Sequence, residues 1–409
     1  MIIFPLYIDP GTGSALFSIL IGAAAALYFV SRAFFLKLKT VFLGGRNKIN
    51  TGKNSKYVIY SEGKQYTNLF RPVIIEFENA KTEIRYLTSS YDDPIFDISW
   101  KYVKPEFIGE GNKAYSYLNF INADFLLMTT PGLHVYQLKR SKYVKHYSHV
   151  LHAPSDATLY RLFGLDYYDS ILLTGDYQGN DIRFLENKRE LPKKQLITVG
   201  CSYLDEYSEK IKQLPDEENH IFTVLVSPSW GASGLLSLYG EKLLDPLNSS
   251  QFRVIIRPHP QSIKSENLII NKLQARYNEN KNIIWDFERE NIYSLKKADI
   301  MISDFSGIMF DFMFLMDKPV LYINQNFDMR PYDADDLEHE LWHFITIKKA
   351  GIELSKESFV HIVEIINNAK DNETLAAARK NACKEAWFYH GEAGKRIFEF
   401  MKKTAENIA

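Results

Sequence analysis

Only two cysteines occur in the 409 residues, Cys201 and Cys383, far apart in the chain. That rules out a disulfide framework and a cysteine-based zinc pattern, and it fits a reducing compartment. Neither sign of charge is in excess: 49 basic residues stand against 50 acidic ones, a net charge of −1. A chain so balanced has no overall pull toward nucleic acid, and none is expected as a partner. Internal repeats and a low-complexity tail are also missing. Met1 to Gly13 contains no positive charge, although a cleaved signal peptide would carry one ahead of its apolar run.

Aromatic residues, by contrast, are plentiful, with 27 Phe and 25 Tyr. An aromatic-rich α/β domain and a membrane-facing surface both have that composition. Residues 14–30 carry no charge and are long enough to cross a bilayer. Arg32, Lys37, Lys39, Arg46 and Lys48 follow, which places that flank, and with it the rest of the chain, on the cytoplasmic side. Phe34, Phe35, Leu36 and Phe42 extend the apolar character, so a monotopic anchor lying in the interface is the other form such a segment can take. Residues 1–43 are therefore expected to be a transmembrane or membrane-anchor helix, and 44–56 a polar, basic linker.

Beyond the linker, short apolar runs alternate with helical stretches, the pattern of a parallel sheet covered by helices on both faces. Strands are expected at 57–60, 83–87, 123–129, 145–152 and 170–175. Residues 195–205 look like a hinge, after which the pattern restarts with strands at 222–226, 252–256, 283–285, 300–302 and 320–323. This gives an α/β fold in two domains, 57–194 and 195–374, closed by helices over 375–409.

The most informative stretch is 298–322. A buried strand (300–302) runs into a polar turn, Ser303-Asp304-Phe305-Ser306-Gly307, then an apolar helix, then Lys318-Pro319 and another strand. A turn of this kind presents hydroxyls and free N–H groups at a helix N-terminus, where an anion is favoured. Upstream, Arg257-Pro258-His259-Pro260 offers a second cationic grip at a strand end.

These two elements together, at this spacing, resemble the CDP-glycerol glycerophosphotransferase family, the teichoic-acid primases and polymerases and their capsule relatives. The similarity is good over about 145–325 and weak over 50–140. It implies a GT-B-like fold, two Rossmann-like domains facing a cleft. It also implies transfer of glycerol phosphate, or a related polyol phosphate, from a CDP-activated donor to a hydroxyl of a lipid-linked saccharide or polymer, with release of CMP. In that setting Arg257, Ser303, Ser306 and Gly307 would hold the donor phosphates, and Ser229, Asp304 and Asp311 the nucleotide or glycerol. His152 and His259 would be catalytic. His152 stands where the family has a histidine in a Trp-His-Gly-Thr-Pro setting, here Leu151-His152-Ala153-Pro154-Ser155, and histidine suits general-base work near neutral pH. Gly307 replaces a serine frequent in the family. No cofactor and no protein-bound metal are expected, because cationic side chains and a helix end can carry the charge.

Plainer roles exist for the same residues. Ser303 and Ser306 are of the type that caps helices, Asp304 and Asp311 can be structural, and Trp230 can belong to the core. A UDP-sugar glycosyltransferase or epimerase uses the same two-domain frame, as does a membrane-anchored nucleotide-binding protein without catalysis. His339-Glu340-Leu341-Trp342-His343 matches the HExxH pattern of zinc proteases. It sits in an acidic stretch without an obvious third ligand, so a loop over the donor site is the preferred reading.

Overall fold

The computed structural model describes residues 54–216, 220–325, 327–370 and 372–408. The anchor expected over 1–43, and the linker up to residue 53, lie outside them. Among the described residues no helix is long and apolar enough to cross a membrane.

Two parallel sheets organise the chain. The first contains β1 (Ser55–Ser61), β2 (Ile84–Thr88), β3 (Val103–Phe107), β4 (Ala123–Met128), β5 (Val144–Val150), β6 (Ser170–Leu173) and β7 (Gln195–Thr198), in the order β3-β2-β1-β4-β5-β6-β7. The second contains β8 (Thr223–Val226), β9 (Arg253–Ile256), β10 (Ile283–Trp285), β11 (Ile300–Ser303), β12 (Val320–Ile323) and β13 (Ile352–Leu354), in the order β10-β9-β8-β11-β12-β13. Apart from Asp124 and Thr223 at their starts, central strands such as β4 and β8 are apolar without alternation, and they are buried throughout, because helices cover both faces of a parallel sheet. Successive residues still point to opposite faces. Val58, Tyr60, Leu126 and Met128 enter the core on one side of the first sheet, and Tyr57, Ile59, Phe125 and Leu127 the core on the other.

Three sequence expectations change. Gln195–Thr198, read as the hinge, is the edge strand of the first sheet, paired with β6. Val103–Phe107 and Ile352–Leu354 gave no strand signal, yet both are edge strands. Pro105 and flanking charges in the former, and only three residues in the latter, are what edge strands tolerate. The C-terminal segment is two helices that pack in different places. Glu373–Ala386 packs in the second domain, with Ala382 and Ala386 beside Met309 and Phe310. Ala393–Ile408 returns to the first, burying Ile397, Met401 and Ala405 against the Leu69, Phe70, Val73 and Phe77 face of helix Thr67–Asn79. Gly394 makes that return possible: a Cβ there would lie 2.7 Å from the backbone of Pro72.

In each sheet the strand order reverses between two neighbours, β1 and β4 in the first and β8 and β11 in the second. Crevices outside the carboxyl ends of strands at such switch points are where open α/β sheets bind ligands. The carboxyl-end loops of the two sheets meet. Arg289 Nη2 donates to the Lys64 carbonyl at 3.2 Å, and Asn68 Nδ2 donates to Glu290 at 3.4 Å. On the other flank a second-domain segment straps onto the first domain. Asp333 accepts from the amides of Phe163 and Gly164 and from Arg189. The Asp156 carboxylate accepts the first amides of helix Trp342–Ala350, from Trp342 and His343, each at 2.8 Å.

Candidate active site

At the second-domain switch point the loops after β8 and β11 are tied together by Asp304. One of its carboxylate oxygens accepts from Ser229 N and the other from Leu235 N, each at 2.9 Å. Burial raises the Asp304 carboxyl above its usual range. Ser303, fully buried, donates its hydroxyl to the Ser227 carbonyl at 2.6 Å. Gly231 completes the turn at φ +100, a conformation that favours glycine, and its amide donates to Glu266 at 2.7 Å. These contacts hold the rim rigid and leave its mouth open. Helix Ile308–Met316 starts from Gly307 with no side-chain cap. Ser306 is half-buried, Gly307 is exposed, and a Cβ on Gly307 would meet nothing within 4 Å. Met309 N and Phe310 N already donate to the Ser306 and Gly307 carbonyls at 3.3 and 3.0 Å, and the Ser306 amide to Asp304, so the Gly307 and Ile308 amides with the Ser306 hydroxyl form the polarised end suited to a phosphate.

Beside it, in the loop after β9, His259 Nδ1 accepts from Gln261 N at 3.1 Å. That fixes the neutral tautomer with its proton on Nε2, so the ring presents a donor. Burial lowers its pKa, partly opposed by the nearby Glu266 and Asp304 carboxylates. Trp230, half-exposed, lies with its ring 6.4 Å from the His259 ring.

The first-domain side has the opposite polarity. His152 follows β5, half-buried, with Nδ1 at 3.1 Å from Thr129 Oγ and 3.0 Å from the Tyr160 hydroxyl. The Thr129 hydroxyl has a single proton and donates it to the Val150 carbonyl at 2.8 Å. Its contact with His152 is then a hydrogen bond in the tautomer whose proton is on Nδ1. Tyr160 is then free to donate to His149 Nε2 at 3.2 Å. The result is a His152 ring whose unprotonated Nε2 has no protein partner among the described residues. Burial pushes its pKa down to about 4, so the ring is neutral at neutral pH. Tyr66 packs edge-on against it, ring centroids 5.4 Å apart.

Next to Tyr66 a cavity of about 360 Å³ opens between the domains, within the size range of small-molecule sites. Trp100 and Ile98 line one wall, and Asn68, Arg71, Glu206, Glu290 and Arg289 the rest.

The structure thus divides the residues singled out from sequence. Ser306, Gly307, His259 and His152 face open space with free polar groups. Ser303 and Asp304 build the rim, and their polar atoms are occupied by backbone. Arg257, expected on the donor phosphates, is almost buried: Nη1 binds Asp286 at 2.6 Å and Nη2 the Glu288 carbonyl at 2.7 Å. Its guanidinium orders the 286–290 loop. Asp311 is buried under its helix and accepts from Tyr203 at 3.1 Å, and burial pushes its carboxyl up to about 7. Ser229 contributes an amide to the Asp304 bridge. The HExxH histidines diverge: His339 Nε2 meets Asp181 at 2.9 Å in the first domain, while His343 is buried against Phe310 and Phe344. Thr129 and Tyr160, which set the His152 tautomer, carry no sequence signal; only proximity in the fold reveals them.

Residues 224–401 match the model of the CDP-Glycerol:Poly(glycerophosphate) glycerophosphotransferase family. This second-domain segment belongs to that family. The chain is a glycerophosphotransferase-like enzyme, and the match extends past the motif region to the C-terminal helix. No curated protein matches the chain. Among solved structures, the wall teichoic acid polymerase TagF shares the fold, with 14% identity, a TM-score of 0.59, and coverage of 92% of this chain and 98% of that one. A putative UDP-N-acetylglucosamine 2-epimerase from Listeria monocytogenes is similar at 13% identity and TM-score 0.59, covering 87% and 98% of the two chains. The UDP-GlcNAc 2-epimerase of Methanocaldococcus jannaschii, in complex with UDP-GlcNAc and UDP, follows at 14% identity and TM-score 0.56, covering 86% and 100%. At such identities the likeness establishes the two-domain GT-B-like frame, which polymerase and epimerase share.

Proposed function

We propose that the enzyme transfers glycerol phosphate from CDP-glycerol to a hydroxyl of a lipid-linked saccharide or polymer at the cytoplasmic face of the cell membrane. The observation that carries this reading is the opposite polarity of the two histidines. His152 Nε2 offers a lone pair to an acceptor hydroxyl; His259 Nε2–H offers a proton to an anion. The acceptor oxygen, losing its proton to His152, forms a bond to the phosphorus that bears glycerol. The bond from that phosphorus to the bridging oxygen breaks, and CMP leaves with the electron pair. Charge gathering on the phosphates meets His259, Ser306 and the open helix end, and positioning and charge stabilisation do most of the work in such transfers. The family supports glycerol phosphate as the group moved, and a variant of TagF has been soaked with CDPG. The cavity beside Tyr66 suits the saccharide of the acceptor, with Trp100 as a stacking face and planar polar side chains for hydroxyls. The uncharged run at 14–30 with its basic flank supports a membrane tether.

Calorimetric titration of the full-length chain in detergent with CDP-glycerol, CMP and UDP tests the donor. Preference for the cytidine ligands, weakened tenfold or more by His259→Ala, is the expected result. Preference for UDP would move the enzyme toward the chemistry of its epimerase-like structural neighbours. His152→Ala is expected to keep donor affinity and lose transfer; an unchanged rate would remove His152 from the mechanism.

A further inference from the structure

Next to the donor-side turn lies a group of polar atoms that the transfer chemistry does not use. A pocket of about 10 Å³, room for one water-sized group, is lined by Asp304 and Phe305 of the turn, the carboxyl end of β12 and helix Trp342–Ala350. Two of its side chains have no hydrogen-bond partner among the described residues. Both ring nitrogens of His343, a residue 2% exposed, are unpaired, and so are the amide oxygen and nitrogen of Gln325, which are shut off from solvent. Asp304 and Lys348 in the same wall are already taken, by the Ser229 and Leu235 amides and by Glu340. Buried polar atoms are costly to leave unpaired, and here four of them line one small pocket. Burial pushes the His343 pKa down to about 4, so its neutral ring presents one donor and one acceptor, as the Gln325 amide does. A hydroxyl donates and accepts, and meets either side chain. A phosphate oxygen only accepts, and would face the Gln325 oxygen and the bare ring nitrogen.

We infer that this pocket seats the terminal hydroxyl of the donor's polyol and, through Gln325 and His343, selects a three-carbon polyol over a longer one. The inference rests on the CDP-glycerol reading above and names the residues that read the polyol. Their position fits a linear donor. The carboxyl ends of β10, β9, β8, β11 and β12 stand side by side in that order. The exposed rings of Phe287 and Trp230 follow β10 and β8, the open Gly307 and Ile308 amides follow β11, and Gln325 follows β12. Phe305, in the pocket wall, precedes Gly307 by two residues, at most about 7.6 Å of backbone. A donor laid along this row, with its base toward the aromatic rings and its phosphates at the open amides, brings its polyol to Gln325. Room for one water-sized group leaves the two further carbons of a five-carbon polyol against the apolar walls, Phe305 and Ile347. A ligand without the hydroxyl leaves the buried polar atoms unpaired, the situation in which a polar site discriminates most strongly.

The test is calorimetric titration of the full-length chain in detergent with four ligands: CDP-glycerol, its analogue with a methyl group in place of the terminal hydroxymethyl, CDP-ribitol, and CDP. CDP-glycerol is expected to bind about tenfold or more tightly than the methyl analogue and CDP-ribitol. Gln325→Ala should bring both preferences to within about twofold and leave the affinity for CDP, which reads the phosphate grip and the folded state, unchanged. Gln325→Leu should lose the same preferences and, without ligand, melt at a higher temperature than the parent, because an apolar group replaces an amide that has no partner. Equal affinity of the parent for CDP-glycerol and the methyl analogue would overturn the inference, as would preferences kept in both Gln325 variants. Equal weakening of CDP and CDP-glycerol by Gln325→Ala would overturn it too, making Gln325 a support of the phosphate turn. CDP-ribitol bound as tightly as CDP-glycerol would overturn the selection of length. In each of these cases CDP still binds the parent, and the donor reading stands. Binding of none of the four would overturn the donor reading, and the polyol pocket with it.

Discussion

At the scale of the residue, the informative contrast is between two histidines in loops of different domains that end with opposite protonation preferences. His152 is set by Thr129, whose hydroxyl proton is already given to Val150. Its lowered pKa has a defined consequence for pH dependence. The ring accepts a proton less readily folded than unfolded, so the catalytic form persists well below the usual histidine range. The acid limb of kcat/KM is expected near about pH 4 rather than about pH 6.5. Bound donor carries negative charge that favours the protonated ring, so the limb of kcat should lie at higher pH. A single limb near about pH 6.5 in both profiles would contradict the buried neutral ring. Thr129→Val should lower kcat with little change in donor affinity, and Thr129→Ser should restore it. Asp311 works in the other sense. Its carboxyl is raised to about 7, so the folded protein keeps a proton that the unfolded chain gives up from about pH 4 upward. Its contribution to stability therefore declines as pH rises through that window. Asp311→Asn should melt at a higher temperature than the parent near about pH 8 and at the same temperature near about pH 4, in parallel calorimetric scans.

At the scale of the element, the helix beginning at Trp342 shows how one domain completes another. Its first two amides are satisfied by Asp156 of the first domain. Asp156→Ala would leave one buried and one part-buried donor unpaired, at a cost of about 1–3 kcal/mol. The loss should appear in denaturant unfolding, together with faster hydrogen exchange at the start of that helix. The nine-residue helix after Gly307 is the counterpart: its N-cap glycine has no side chain to cap it, which leaves the Gly307 and Ile308 amides available to an anion. Gly307→Ser adds a hydroxyl into open space. It should leave stability within about 0.5 kcal/mol and tighten CDP-glycerol binding a few-fold by calorimetry.

At the scale of the whole molecule, the returning C-terminal helix closes the chain onto the first sheet through a contact only glycine permits. Gly394→Ala should lower stability by about 1–3 kcal/mol, seen as a lower melting temperature and faster exchange over residues 393–408. An unchanged melting temperature would mean that the helix can shift away from Pro72 at no cost.

By itself, the sequence determined the central strands of both sheets, the α/β class and the location of the donor-side turn. Runs of buried apolar residues bounded by turn residues are local patterns, and they are read without knowledge of neighbours. The resemblance carried by Arg257-Pro258-His259-Pro260 and Ser303 to Phe312 likewise needed only the order of residues. Three of the four edge strands escaped, Ile283–Trp285 being the exception; Val103–Phe107, for one, has the composition of a loop until β2 lies beside it. Only the tertiary structure decided which of the motif residues remain open to a ligand. Arg257, Ser303 and Asp304 have suitable chemistry, yet their donors and acceptors are taken by Asp286, Ser227, Ser229 and Leu235. Hydrogen-bond partners far apart in sequence assign those roles, and the same long-range pairing brings Thr129 and Tyr160 to His152.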